Sequence, residues 1–435
     1  MARVMATLYV EPPPLMSDGF TTRRPRRYAF WHSIGSPQFI ASPMVDQSER
    51  AFRTLCRRHG AHVCYTPMLH ATAFAHDVSA YRAKHVDWTR GRHSDGGPLF
   101  VQLGGSSADD LIAAAQAIDA ASDGAVDAIC LNLGCPEACA RKGRYGAFMM
   151  GSAEGEAAAL ATVAAWASTL QCGVSVKIRL FSDDRGVPGS GVQRSVKLCV
   201  ALVDAGADVI TVHARTRRQT RKHTGASEWD ALRAIVDAVG HLVPIISNGG
   251  IGDARDIVRC LAETGVAGVM SAEALLENPA LFRPLRVIER AIRAYRERRR
   301  GTARRGSLGG SSVTIPRCDG RRLLRQCALA AEYLACAAAD PPLLEPRKTC
   351  KAHVYRMLFS ALRAVGREHD LAAASSVEGV KAVVKAVRDE LMQRASAEEA
   401  GLRWYDRHRR AGDVRELKAL RTAWIKSGSG GRVPS

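Results

Sequence analysis

The strongest constraint on the fold is an alternation between two kinds of segment. Short segments rich in β-forming residues alternate with Ala-rich helical stretches; the eight segments begin near Gln38, His62, Pro98, Val126, Val174, Ala207, Val243 and Ala267. Eight such repeats over about 250 residues are typical of a (β/α)8 TIM barrel. A doubly wound open sheet is the alternative, but it requires a Gly-rich fingerprint after the first strand, and none is present.

Composition changes on both sides of this region and predicts the domain boundaries. Residues 1–35 are Pro- and Arg-rich and are expected to form a flexible basic arm, and residues 36–290 the barrel. Residues 291–319 read as a basic Gly/Ser/Arg linker. Helical periodicity returns at 320–395, and 396–435 form a charged, partly disordered tail. We therefore predict an α/β protein, a TIM barrel followed by a smaller C-terminal helical domain.

The charge balance indicates a polyanionic partner. Lys and Arg total 62 against 43 Asp and Glu, a formal net charge of +19. Cationic excess attracts nucleic acid through counterion release, although basic faces that are only solvated are the alternative. Charge and its clustering favour nucleic acid.

Cysteine usage and hydropathy bear on the compartment. The 12 cysteines include no CxxC pair, and Cys130, Cys135 and Cys139 match no zinc or redox spacing, so we expect reduced thiols and no metal. No apolar run is long enough to span a membrane. We expect a cytoplasmic monomer without a membrane partner; the basic residues at 23–27 leave the nucleus and mitochondrion open as alternatives.

Polar residues follow one predicted strand after another. In a TIM barrel the carboxyl ends of all strands meet at the same end of the barrel, its mouth. These polar residues are Ser42 to Met44, Gln102, Asn132 to Pro136, Lys177, Arg179, His213, Arg215, Asn248 to Gly250, and Ser271 to Glu273. Gly249 and Gly250 fit a phosphate site, with a plain turn as the alternative. Lys177 within a strand suggests a bound anion, or else a lysine reaching solvent. Cys135 between Gly134 and Pro136 suggests a general acid, or else a buried structural cysteine.

Together these residues resemble the tRNA-dihydrouridine synthase family, in its eukaryotic D-loop (16/17) branch. The matching strings, in order, include SPMVDQSERAFRTLCRRHG, FVQLGG, CLNLGCPEACARKGRYGAFMM, VKIRL, ITVHARTRRQTRKHTG, ISNGGI and GVMSAEALLENPALF. The resemblance extends from about Gln38 to Phe282, and the order and spacing of the strings make it specific.

The resemblance implies a reaction and roles for residues. A uracil ring flipped out of tRNA is reduced, with hydride from FMN to C6 and a proton from Cys135 to C5, and NADPH or NADH is the reductant. The implied FMN contacts are Pro43, Met44, Val45, Gln102, Lys177, His213, Asn248, Gly249, Gly250, Ala272 and Glu273. Asn132 and Arg179 are implied to line the uracil pocket, and Arg215 to meet substrate or phosphate.

Three departures from the family pattern leave the chemistry intact. Ser42 stands for Ala, Ala214 for Gly, and FSDDRGVPGSG lengthens the loop after the fifth predicted strand. After the barrel, RKTCKAHVYRMLFSALR resembles the family's helical domain. Lys348, Lys351, His353 and Arg356 are then candidate tRNA phosphate contacts, with a solvated helix face as the alternative.

Two other functions compete with this interpretation. One is an FMN barrel oxidoreductase acting on a free pyrimidine-like molecule, which the basic helical region and the GCP-x6-G-x2-G string of Gly134 to Gly146 disfavour. The other is a non-catalytic tRNA-binding protein, which Cys135, Lys177 and His213 disfavour.

Overall fold

The computed structural model describes residues 26–76, 78–88, 96–184, 186–220, 224–283 and 322–393. Residues 1–25 of the predicted arm, the predicted linker 291–319 and the predicted tail 396–435 lie outside these ranges.

Eight parallel strands close into a barrel. They are β1 (Phe39–Ala41), β2 (Val63–Tyr65), β4 (Leu99–Gly104), β5 (Ala128–Leu133), β6 (Gly173–Leu180), β7 (Val209–Thr216), β8 (Ile245–Asn248) and β9 (Gly268–Ser271). β1 pairs with β2 and β9, and β2 pairs with β4, so the ladder returns on itself. A two-residue strand, β3 (Leu69–His70), continues beyond β2 and pairs with the end of β4. The predicted barrel and its eight strands are confirmed; β3 is too short to produce a periodic signal.

Helices lie between consecutive strands along the chain, and a short one follows the last strand. They are α2 (Arg50–Arg58), α3 (Ala71–His76), α4 (Val78–His85), α5 (Ala108–Ser122), α6 (Ala138–Lys142), α7 (Ala153–Thr169), α8 (Ser190–Ala205), α9 (Trp229–Val239), α10 (Ala254–Thr264) and α11 (Glu273–Glu277). Local sequence sets several of their starts. The Ser107 side chain caps α5 as its Ser/Asp-rich start predicts, and Asp253 and Asp256 form a capping box on α10.

Alternation along the strands separates the two faces of the barrel. Successive side chains of a strand point to opposite faces. An apolar cluster fills the lower interior of the barrel, with Ile40, Val63, Phe100, Ala128, Val209, Ile246 and Met270 as members. Residues of the other parity, such as Val101 and Ile129, belong to the cluster between strands and helices. The lower barrel is therefore a packed core rather than a pore.

A helix at the N-terminal end of the chain, α1 (Arg26–Ser33), covers the amino end of the barrel. Trp31 is 3% exposed and, with Ile34, packs into the interior cluster. The Phe30 and Phe100 rings lie 6.1 Å apart. The prediction that residues 1–35 form a flexible arm is thus wrong for residues 26–33, which form this helix. Apolar side chains of α1 pack against the amino end of the barrel, here called the floor. The local sequence does not reveal this contact.

Among the described residues, five helices follow the barrel: α12 (Arg322–Ala339), α13 (Pro346–Met357), α14 (Phe359–Val365), α15 (Glu368–Ala373) and α16 (Val377–Gln393). α12 packs against α2 and α13 against α11, so these helices rest on the barrel wall. They lie within the predicted range 320–395, although the exact domain boundaries remain predictions. Among the described helices, none has the length and apolarity needed to cross a membrane.

Candidate active site

The inward positions of the barrel become polar toward the carboxyl ends of the strands, here called the barrel mouth. On β5 the series runs Ala128, Cys130, Asn132, and on β8 it runs Ile246, Asn248. The strand register then places predicted site residues side by side: Asn132 beside Lys177, Arg179 beside His213, and His213 beside Asn248. The structure therefore brings these predicted residues together at one end of the barrel.

Cys135 lies just beyond β5 in a tightly held turn. The Asn132 side-chain oxygen accepts hydrogen bonds from the backbone N–H groups of Gly134, at 2.9 Å, and Cys135, at 3.1 Å. Gly146, with φ +62°, passes so close that a Cβ there would lie 2.9 Å from the Cys135 Cβ. Burial raises the pKa of the half-buried Cys135 thiol, and a hydrogen bond from the Glu137 backbone only partly offsets this. The thiol therefore keeps its proton at neutral pH, as a general acid requires.

The orientation of the Asn132 amide follows from the same turn. Because its oxygen accepts from two backbone N–H groups, its NH2 group must face the barrel interior. There it donates to the Gln102 side-chain oxygen at 3.2 Å and to the Met68 sulfur at 3.0 Å. Gln102 in turn donates to the Cys130 sulfur at 3.7 Å. Since a thioether is a weak acceptor, Asn132 offers a donor to any carbonyl that displaces Met68.

Lys177 is the least compensated charge of the mouth. Within the described ranges its ammonium group has no hydrogen-bond acceptor or carboxylate partner. Burial, aided by the nearby Arg179, lowers the pKa of Lys177 to about 8. A largely buried cation without a partner is unfavourable unless an anion joins it. The geometry is thus suited to an anionic or electron-rich ligand group above β5 and β6.

The turn after β8 leaves space that only glycine can provide. A Cβ on Gly249, at φ +91°, would lie 2.8 Å from the His213 ring, and one on Gly250, at φ +77°, would lie 2.9 Å from the Ser227 hydroxyl. His213 accepts a hydrogen bond from Arg215 at 3.3 Å. Burial and three neighbouring cations hold the pKa of His213 well below its ordinary value, so the imidazole is neutral. Glycines in such a turn allow the backbone to approach a phosphate group closely.

Two further polar atoms beside this turn were missed by sequence reasoning. The Ser227 hydroxyl and the Trp229 indole N–H are buried, and neither has a hydrogen-bond partner among the described residues. Trp229 Nε1 lies 3.4 Å from the Cβ position of Gly250. Trp229 begins the amphipathic helix α9, so its sequence context indicates only a core residue. Two unused donors beside a glycine turn fit a phosphate oxygen.

The remaining cofactor candidates form the rim between β1 and β9, which are paired strands. Pro43 and Met44 are half-buried there, and the Met44 N–H donates to the Ser48 hydroxyl at 3.0 Å. Val45 is 59% exposed. Ala272 and Glu273 are half-buried at the start of α11. Their position at the mouth is as expected, and their contacts with a cofactor remain predictions.

The two predicted substrate arginines are both held by backbone carbonyls. Arg179 donates to Gly134 O at 3.0 Å, Thr216 O at 2.9 Å and Gln219 O at 3.2 Å. Arg215 is buried and donates to Gly225 O at 3.2 and 3.0 Å. Their roles toward a substrate remain predictions, while their observed contacts join loops of the mouth.

Comparison with known proteins decides the family. The sequence model of a protein family described as Dihydrouridine synthase (Dus) matches residues 39–298, more than half of the chain. The chain belongs to the dihydrouridine synthase family. A rat relative named tRNA-dihydrouridine(16/17) synthase [NAD(P)(+)]-like is 33% identical over 86% of this chain and 73% of its own length. The Saccharomyces cerevisiae tRNA-dihydrouridine(16/17) synthase [NAD(P)(+)] is 38% identical over 57% of this chain and 55% of its own. The family resemblance stated from the sequence is confirmed.

The helical region of this family member corrects one predicted site residue. His353 is 0% exposed and lies between the rings of Phe52 and Tyr333, so the prediction that it contacts phosphate is wrong. Its Nε2 is 3.1 Å from Glu49, which also accepts from the Tyr333 hydroxyl at 2.8 Å. His353 does not face RNA but helps to join α13 to the barrel. The sequence suggests that this side of α13 is a basic surface, whereas in the fold it packs against α2.

The three other helical candidates differ in availability. Lys348 is exposed and pairs with Glu345. Lys351 donates to the Ala374 carbonyl at 3.2 Å and to that of Ala372. Arg356 donates to Ala352 O at 3.1 Å, and it interacts electrostatically with Glu273 of the barrel rim. Their phosphate contacts remain predictions.

Proposed function

We propose that this protein reduces uridine to 5,6-dihydrouridine in tRNA, at D-loop positions 16 and 17, with FMN as its flavin and NADPH or NADH as reductant. The names of its relatives, which specify tRNA-dihydrouridine(16/17) and NAD(P)(+), support the substrate and the reductant. The observation that carries the chemistry is the convergence at one barrel mouth of a protonated Cys135, a Lys177 without a partner among the described residues, and the Gly249–Gly250 turn.

The residues of the mouth fit an FMN molecule. The phosphate group suits the turn at Gly249 and Gly250, where the buried Ser227 hydroxyl and Trp229 N–H lack partners in the described structure. Lys177 suits the electron-rich edge of the flavin, whose negative charge it would stabilise. A flavin held by these residues and reduced by the nicotinamide would supply the hydride for uracil C6.

The role proposed for Cys135 follows from its protonation and its support. Hydride addition at C6 leaves negative charge that must be quenched by a proton at C5. Cys135 holds that proton because burial raises its pKa. Asn132 orients the turn that carries the thiol and presents its NH2 group toward the interior, where it can donate to a uracil carbonyl.

A tRNA substrate also accounts for features outside the mouth. The net charge of +19 suits a polyanion, and exposed basic residues such as Arg141, Lys142 and Arg144 lie beside the mouth. A target base must leave its stack to reach the barrel interior. The monomeric state and the cytoplasmic location expected from the sequence remain predictions.

The test is to map dihydrouridine across all tRNAs with and without the protein. Purified protein with FMN and NADPH is added to unmodified tRNA, and the Cys135→Ala protein serves as the control. Dihydrouridine at positions 16 and 17, dependent on Cys135, is the expected result. Turnover of free pyrimidines with tRNA unchanged would instead establish the small-molecule oxidoreductase. If the purified protein holds no flavin whose colour is bleached by NADPH, the non-catalytic tRNA-binding protein would be the remaining interpretation.

A further inference from the structure

Four hydrogen bonds surround the Cys135 peptide, and two arginines supply two of them. The Cys135 N–H donates to Asn132, and the Cys135 carbonyl accepts from the Ala147 N–H at 3.1 Å. The carbonyl before it, Gly134 O, accepts from Arg179 Nε at 3.0 Å. The Ala147 carbonyl accepts from Arg217 at 3.2 Å. We call residues 134–148 the Cys135 loop.

Arg179 joins the Cys135 loop to the loop after β7. Its Nε holds Gly134 on one side, while its terminal nitrogen holds Thr216 and Gln219 on the other. The ladder between β6 and β7 shifts register right after Arg179, so that Leu180 pairs with Thr216. The planar fork of a guanidinium can meet carbonyls on two sides at once, which a single lysine ammonium group cannot do.

Arg217 makes the second connection between the same two loops. It extends from the loop after β7, donates to Ala147, and lies over the Phe148 ring, with 4.7 Å from guanidinium carbon to ring centroid. Arg217 is exposed, unlike Arg179. Its neighbour Arg218 is exposed as well, but its side chain has no hydrogen bond within the described part of the chain.

We propose that Arg179 and Arg217 are positioning residues that hold the Cys135 loop against the loop after β7 and thereby set where the thiol stands. The inference rests on the proposed function for its consequence, since Cys135 is there the proton donor. Arg179 acts in this role through backbone carbonyls, with its Nε and Nη1 as donors. The contact with the uracil ring that the family resemblance implies is a separate prediction.

The test measures the loop itself before it measures catalysis. Full-length protein in a Cys139→Ser background is compared with Arg179→Lys, Arg217→Gln and the matched control Arg218→Gln. Amide hydrogen exchange across residues 133–148 and the rate of Cys135 alkylation by iodoacetamide are followed as functions of pH. Arg179→Lys keeps the charge but loses the fork, and the exposed Arg217 can be replaced without threatening folding.

We expect exchange in the Cys135 loop to accelerate about fivefold for each lost hydrogen bond. Alkylation at pH above the thiol pKa should accelerate in Arg179→Lys and Arg217→Gln, and Arg218→Gln should match the parent. With tRNA, both variants should lower kcat for dihydrouridine while KM for tRNA and the rate of flavin reduction by NADPH stay unchanged.

Unchanged exchange and alkylation in both variants would overturn the proposal. A raised KM for tRNA in Arg179→Lys with an unaltered loop would make Arg179 a substrate contact instead. If exchange and alkylation change as expected but no protein, parent included, forms dihydrouridine, the proposed function fails while the positioning role stands.

Discussion

The two ends of the barrel are built from the same strands and differ in almost every other respect. At the amino end, α1 seals the interior with Trp31, Ile34 and Phe30, and the inward strand residues are apolar. At the mouth, the inward residues include Lys177 and His213, whose pKa values are shifted by burial and neighbouring cations. The amino end consists of packed apolar side chains. The mouth contains ionisable side chains whose burial is energetically unfavourable.

This difference indicates that the residues that stabilise the fold and the residues of the candidate site lie at opposite ends of the same barrel. Substitutions at the floor should alter the free energy of unfolding with little effect on ligand binding. Substitutions at the mouth should do the reverse, and some should even stabilise the ligand-free protein. Substitutions at the two ends can test whether stability and ligand binding are in fact independent.

The largest effect is expected at Cys135. Replacing it with Ala removes the proton donor, so dihydrouridine formation should fall about 100- to 10,000-fold. Flavin content and flavin reduction by NADPH should stay at the parent level in single-turnover measurements. Cys139→Ser, which removes an exposed thiol on the adjacent helix, is the control and should be fully active. Equal activity of Cys135→Ala would reject the proton-donor role.

The floor should respond most strongly at Trp31. Trp31→Ala deletes a large buried side chain and should lower the free energy of unfolding by about 3 to 5 kcal/mol, measured by denaturant titration. Trp31→Phe should cost less because part of the volume remains. Flavin affinity of the folded protein should not change. Loss of flavin binding without loss of stability would show that the two ends are coupled.

Lys177 should show the opposite pattern. Lys177→Met removes a buried cation whose pKa is lowered to about 8, so the ligand-free protein should gain about 2 kcal/mol of unfolding free energy. Flavin should bind at least about tenfold more weakly, as titration of flavin fluorescence would show. Lys197→Met, on the exposed face of α8, is the matched control. Destabilisation together with unaltered flavin affinity would contradict the assignment.

The smallest effect is a pH dependence of flavin binding. Lys177 is charged below about pH 8 and neutral above it, and only the charged form attracts an anionic ligand. Affinity should therefore fall about threefold to fivefold between pH 7 and pH 8.5. The Lys177→Met protein should lack this dependence. A parent profile that rises with pH over the same interval would show that Lys177 does not meet the ligand.

Much of the barrel could be predicted because its signals are local. Short β-forming segments alternate with Ala-rich helical stretches along the chain, so the eight strands could be located from the sequence. Strand ends converge in any closed parallel barrel, which is why the site residues could be gathered without coordinates. Ser227 and Trp229 could not, since their unused donors become evident only beside Gly250.

Sequence alone therefore determined the repeating strand–helix units, the polar residues at the strand ends and the glycines of the turn after β8, because each depends on neighbours a few positions away. Tertiary structure alone decided that α1 seals the floor, that His353 is buried against Glu49, and that Arg179 holds Gly134. These contacts join residues far apart in the chain. Periodicity shows that a face is amphipathic or charged, and only packing determines what that face meets.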